Sequence, residues 1–193
     1  MSGAARQAYP LTFDVEYPER LSRLLIFVKW LLAFPHRIIL YGLDVLVLAI
    51  TIVAWFAILF TGRYPRGLFD LVVNSWRWQA NVAAYVGLMR DEYPPFSWEE
   101  GRYPVTFRVE YPERLSRLLI FVKWLLAFPH YVVLLVLELV AYLAWGVAWF
   151  AILFTGRFPR GLFNYLVGVQ RWNWRVQAYT GLLRDEYPPF SLR

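Results

Sequence analysis

The chain has 193 residues, 59% of them hydrophobic and 20% aromatic, and its formal charge of +6 comes from 18 arginines and two lysines against 14 acids. A mixture this apolar lies far from the soluble norm and belongs with lipid, so the positive balance is read as attraction to an anionic membrane rather than to nucleic acid. With no cysteine in the sequence, disulfides, thiolate nucleophiles and Cys-ligated metals are excluded.

Residues 1–8 read as an N-terminal tail, and the first nineteen residues hold no apolar run of the kind a secretory signal needs, so the N-terminus is expected to stay uncleaved. Residues 9–97 then recur at 103–191 with a constant offset of 94, and 60 of the 89 aligned positions are identical. This is one unit used twice, joined by the short linker 98–102, "WEEGR".

Each copy opens on strict alternation, Leu11, Phe13, Val15 and Tyr17 against Thr12, Asp14 and Glu16, and again from Val105 to Tyr111. That pattern predicts a short, half-buried strand outside the bilayer, on the cytoplasmic side. Pro18 and Glu19 supply a helix start, and a first apolar helix is expected at about 19–34 and 113–128, stopped by Pro35 and Pro129. A second is expected at about 38–61 and 132–155, closed by Gly62 and Gly156. The second spans about 36 Å, enough for a hydrocarbon core of roughly 30 Å.

The expected arrangement is a transmembrane hairpin turning at Pro35–His36. Two near-identical units with near-identical flanking charges should insert the same way, which requires an even number of crossings per unit. A hairpin would also leave only His36, Arg37 and His130 as basic residues at the far turn, making the other side cytoplasmic. Counting from the turn, Lys29 meets Asp44 at about the same depth, as Lys123 meets Glu138, so these are the expected intramembrane ion pairs. A lone charge at the bilayer centre costs about 2.5–3.5 kcal/mol, and a partner of opposite sign offsets much of that. The alternative is that each lysine snorkels to the headgroups while its acid faces water or another subunit.

The third helix, at about 66–90 and 160–184, carries Asp70, Asn74, Arg77 and Asn81 along one stripe and Leu68, Leu71, Trp78 and Val82 opposite. It reads as an amphipathic helix in the headgroup plane. Its candidate lipid-headgroup contacts are Arg63, Arg66, Arg77, Arg157, Arg160, Arg171 and Arg175. Packing of its apolar face on the hairpins is the alternative, and both can hold.

The blocks "LSRLLIFVKWLLAFPH", "FAILFTGRYPRGLF", "RWNWRVQAY" and "DEYPPFSL" resemble a family of bacterial integral membrane proteins known as domain of unknown function 4389. The resemblance covers both repeats end to end. It implies a multi-pass protein of the bacterial cytoplasmic membrane and transfers no catalytic residue.

No catalytic residues or metal ligands are expected, since the phosphate-loop, G-x-S-x-G, H-E-x-x-H and dinucleotide fingerprints are missing. The only cofactor idea is haem or chlorophyll held by His36 and His130, weighed against a plain turn histidine; bound lipid is expected and no other cofactor. The sequence therefore suggests an all-α membrane protein, a tandem repeat of hairpin plus amphipathic helix with a short cytoplasmic strand at the start of each repeat. Both termini are expected in the cytoplasm. The expected role is non-enzymatic, as a structural or accessory subunit partnered by anionic lipids, by itself or by other membrane subunits, and not by nucleic acid. The alternatives are a small transporter or channel with the paired charges lining a path, and a lipid-binding membrane-shaping protein.

Overall fold

The computed structural model describes residues 9–193; the tail read at 1–8 lies outside the described residues. Each repeat folds as a short strand, a short helix, a long helix and a third helix: β1 (Leu11–Val15), α1 (Leu25–Leu32), α2 (Phe34–Thr61) and α3 (Arg66–Val86), then β2 (Val105–Val109), α4 (Leu119–Leu126), α5 (Phe128–Thr155) and α6 (Arg160–Thr180). The chain is mostly helical, with two tandem repeats and one strand opening each, as the alternation and helix-cap signals suggest.

The two strands pair with each other, antiparallel, in a register that sets Phe13 opposite Phe107. These are equivalent residues of the two copies, so a pseudo-twofold axis runs between them. The ribbon's inner face, Leu11, Phe13, Val15, Val105 and Phe107, is buried, while Thr12, Asp14, Thr106 and Arg108 face outward. Each strand packs on the third helix of the other repeat, β1 on α6 and β2 on α3. The exchange continues beyond the strands. Leu21 N–H donates to Gly156 O at 2.9 Å and Leu115 N–H to Gly62 O at 2.8 Å, and the Tyr17 and Tyr111 hydroxyls donate to Phe158 O and Tyr64 O, both at 2.5 Å.

The expected reversal at Pro35–His36 does not occur. α1 runs into α2 through the single residue Ala33, which keeps helical dihedrals, and i→i−4 bonds bridge the join from Ala33 N–H to Lys29 O and from Arg37 N–H to Ala33 O. Proline fits in the first turn of α2, where its lost N–H and fixed φ bend the helix without ending it. α4 and α5 join in the same way, into one apolar run of 37 residues, Leu119–Thr155, about 55 Å long.

Two helices, Phe34–Thr61 and Leu119–Thr155, are thus long and apolar enough to cross a membrane, yet protein covers only 22% and 17% of their most apolar stretches. On α2 the covered residues form one stripe, His36, Leu40, Val47, Ile50, Ala54 and Ile58, the helical spacing of a single contact face. Ile38, Val45, Leu46, Ile52, Val53, Phe56 and Phe60 are exposed beside it. The two kinked helices run antiparallel, fixed by reciprocal edge-to-face pairs at their ends, Phe27 on Trp149 (5.3 Å) and Trp55 on Phe121 (5.2 Å).

Three layers result, stacked along the pseudo-twofold axis. The polar-faced ribbon lies on one side, α3 and α6 in the middle, and the long apolar helices on the other. α3 and α6 are therefore core helices, buried on both faces, with Trp76 and Trp174 in contact at 5.8 Å. The expectation of a helix lying in the headgroup plane is corrected here. Past its exposed first turn at Asp70, the polar stripe of α3 turns to the ribbon rather than to water: Arg77 Nε donates to Phe107 O at 3.1 Å, and Asn81 is buried.

Candidate functional site

The polar groups carried by the apolar helices gather in two places. The first is a clamp, built once in each repeat. Lys29 on α1 is buried, and its ammonium donates to Arg90 O and pairs with Asp91, both at 2.7 Å, over the ring of Tyr85. Asp91 also accepts the Ser22 N–H, and Tyr93 donates to Leu32 O at the helix bend. His36 lies under the same strap, its Nδ1 accepting from Trp78 Nε1 at 3.1 Å and its ring stacked on Phe96 at 3.9 Å. Lys123, Arg184, Asp185, Tyr187, His130, Trp172 and Phe190 repeat every contact.

The segment "RDEYPPFS" is thus a strap tying the end of the third helix to the bend between the first two. Asp91 and Asp185 form its ion pairs. Beside each, the carboxylate of Glu92 or Glu186 is chelated by Arg90 or Arg184. Burial raises the pKa of these glutamates, but the guanidinium and backbone N–H groups that bond the carboxylate together outweigh it and hold them below the ordinary value.

The second place is a cavity of about 750 Å³ between the repeats. Leu40, Tyr41 and Asp44 of α2 line one side and Glu138, Tyr142 and Trp145 of α5 the other, with α3 and α6 behind them and Phe13 at the axis. Gln79 Nε2 donates to Asp44 and Asn173 Nδ2 donates to Glu138, the latter at 2.9 Å.

The structure therefore separates the residues read as intramembrane pairs. Lys29 and Asp44 stand fifteen positions apart on one nearly continuous helix, about 22 Å. Each has found another partner, an acid of the strap for the lysine and an amide of the third helix for the acid. Each histidine is packed between an indole donor and a stacked ring and is engaged through Nδ1, while its buried Nε2 has no hydrogen-bond partner among the described residues.

Of the arginines, Arg77, Arg171 and Arg175 are structural. Arg171 donates to Phe13 O and Leu192 O and pairs with Asp14, and Arg175 is buried with a bond to Ser191 O. Arg66 and Arg160 stack on Tyr111 and Tyr17 of the opposite repeat and stay largely exposed. Arg63 lines a smaller cavity of about 510 Å³ with Arg114 and Arg117, at the corner where α2 ends against the other repeat, and Arg157 occupies the equivalent corner. None of Arg63, Arg114 and Arg117 pairs with an acid among the described residues.

The family model described as Domain of unknown function (DUF4389) matches twice, at residues 23–97 and 117–191. The chain belongs to this family. No curated protein and no solved structure gives a match. Each DUF4389 match takes in the three helices and the strap but not the strand, so the clamp sits inside the family unit and the ribbon outside it. Within the unit, Lys29, His36, Trp78, Tyr85, Asp91, Tyr93 and Phe96 all lie in that clamp. Sequence reasoning missed it because Asp91 and Asp185 follow arginine and look like surface salt bridges. The signal that could have found it is that "EYPERLSRLLIFVKWLLAFPH" and "RDEYPPFS" are unchanged between copies while residues 37–52 are almost entirely rewritten.

Proposed function

We propose that the protein is a non-enzymatic membrane subunit that seats on one leaflet, its long helices lying in the plane of the bilayer and its ribbon facing the aqueous side. The observation that carries this reading is the layering. The pseudo-twofold axis that relates the strands also relates the antiparallel long helices, so it lies across those helices rather than along them. If the helices stood upright, the axis would lie in the membrane plane and the outward Asp14 and Arg108 would fall at mid-bilayer depth, where exposed charge is costly. With the axis along the membrane normal, the apolar face meets lipid and the charged ribbon meets water.

The requirement for an even number of crossings per repeat is then met by none. The unpaired Arg63, Arg114 and Arg117, with Arg20, Arg23 and Arg157 at the opposite corner, stand at the rim of the apolar face. Each contributes around 1 kcal/mol against an anionic leaflet. Two copies of one unit sharing a core make a rigid platform, which fits an accessory or scaffold role in a bacterial cytoplasmic membrane, with both ends of the chain on the cytoplasmic side. A transport path lined by lysine–acid pairs has lost its motivation, since those residues are apart.

The test is vesicle flotation. The protein should float with phosphatidylglycerol vesicles at low salt, hold more weakly at high salt as rim charges are screened, and retain a salt-resistant fraction through the apolar face. Complete release by salt would show that the apolar helices do not enter the bilayer.

A further inference from the structure

The cavity between the long helices carries chemistry that the membrane seat does not require. Between residues 37 and 52 the two copies keep only Leu40 and Leu43 identical, at Leu134 and Leu137. In that rewritten stretch a carboxylate persists, as Asp44 in one copy and Glu138 in the other. Its partner on the third helix has changed in the compensating sense: the shorter acid is met by the longer amide, Gln79, and the longer acid by the shorter amide, Asn173. Total reach is kept, so both carboxylates are held at the wall of the same cavity. A bond to one carboxylate oxygen leaves lone pairs on the other free to accept.

Among the described residues Arg37 is the one further charged residue in the lining, so their lining charges sum to −1. Tyr41 and Tyr142, 74% and 73% exposed, stand at the mouth on the apolar face, with Trp145 beside them. Most of the remaining wall is aliphatic. Acids held by neutral amides, aromatic faces and an apolar exit suit one positive charge attached to a hydrocarbon tail.

We propose that this cavity binds a lipid whose headgroup ends in a primary ammonium, the ammonium lying between Asp44 and Glu138 and the chains leaving between the long helices. This rests on the membrane seat for the direction of the tail.

The test is native mass spectrometry of the full chain in mild detergent, titrated with phosphatidylethanolamine and with its N-acetyl derivative, which keeps the phosphate and chains and loses the ammonium. The wild-type protein should bind phosphatidylethanolamine at least tenfold more tightly. That preference should fall below twofold in Asp44→Asn/Glu138→Gln and survive in Asp44→Glu/Gln79→Asn, which copies the second repeat's pair into the first. A wild-type ratio near one overturns the proposal whatever the variants do, and so does free ethanolamine competing as well as the lipid. Flotation on phosphatidylglycerol vesicles, which contain no ammonium, reports separately on the membrane seat. A protein that floats but shows no preference has lost the cavity proposal alone.

Discussion

At the residue scale, what governs Lys29 is not a partner on its own helix but a strap about sixty residues later. The ammonium is almost fully covered, with its side chain 2% exposed, and it makes an ion pair and a carbonyl bond there. Removing one member of a buried pair leaves the other unsatisfied, so Lys29→Met is expected to cost about 2 kcal/mol of stability, reduced from the fully buried case because Asp91 keeps some water. Denaturant unfolding in mild detergent should give the same loss in an Asp44→Leu background and a smaller one in an Asp91→Asn background. Equal losses in all three backgrounds would break the assignment.

Glu92 and Glu186 supply a pH test of the same strap. Their folded pKa values lie below the ordinary value of 4.5. The stability they contribute is therefore fully present above about pH 4.5 and lost as the pH falls through the lower folded value. Glu92→Gln/Glu186→Gln should flatten the acid limb of a thermal-stability profile between about pH 5 and 3, while a profile unchanged from wild type would show that the guanidinium contacts do not hold these carboxylates ionised. The sequence could show that two lysines sit among apolar residues and need partners. It could not show which acids, because any residue brought alongside by tertiary folding competes with one counted along a presumed hairpin.

At the element scale, the strands and the ends of the long helices were legible, but the first helix starts at Leu25 and Leu119 rather than at the Pro18–Glu19 signal, and the path between the helices was not legible. Leu11, Phe13 and Val15 alternate because one face of a ribbon is buried, and Gly62 ends α2 in the left-handed region at φ 70°. A Cβ at Gly62 would meet Leu115 O and Arg117 Nε only at ordinary contact distance, 3.5 Å, so strain comes from the backbone alone. Gly62→Ala should therefore lower stability by about 1 kcal/mol without changing the fold, as read from the denaturation midpoint at constant slope. Pro35 misled because proline is equally at home as a stop and as a first-turn residue, and only the bonds across Ala33 decide. α3 misled for a related reason: an amphipathic pattern reports two unlike faces, and here the second face meets the carbonyls of a ribbon rather than water.

At the scale of the whole molecule, the repeats are two halves of one core. Each strand packs on the other half's helix layer, and the ribbon sets Phe13 against its equivalent Phe107, with the remaining pairs arranged symmetrically about that point. A chain holding only residues 9–97 is therefore expected to form a homodimer, Phe13 against Phe13, with the helix content of the tandem protein; analytical ultracentrifugation in matched detergent should show the dimer mass. A folded monomer would mean that the exchange is dispensable. Duplication itself was fully legible, since identity at constant offset needs no physics, but the axis became visible only through strand register.

The central claim is that no helix crosses the bilayer. With no native cysteine to interfere, Glu19→Cys and Arg63→Cys, placed before α1 and after α2, can each be probed in sealed vesicles carrying the full chain, using a membrane-impermeant maleimide. The proposed seat requires both positions to be labelled from the same side, with Leu48→Cys protected until detergent is added. Labelling of Glu19→Cys and Arg63→Cys from opposite sides would contradict it.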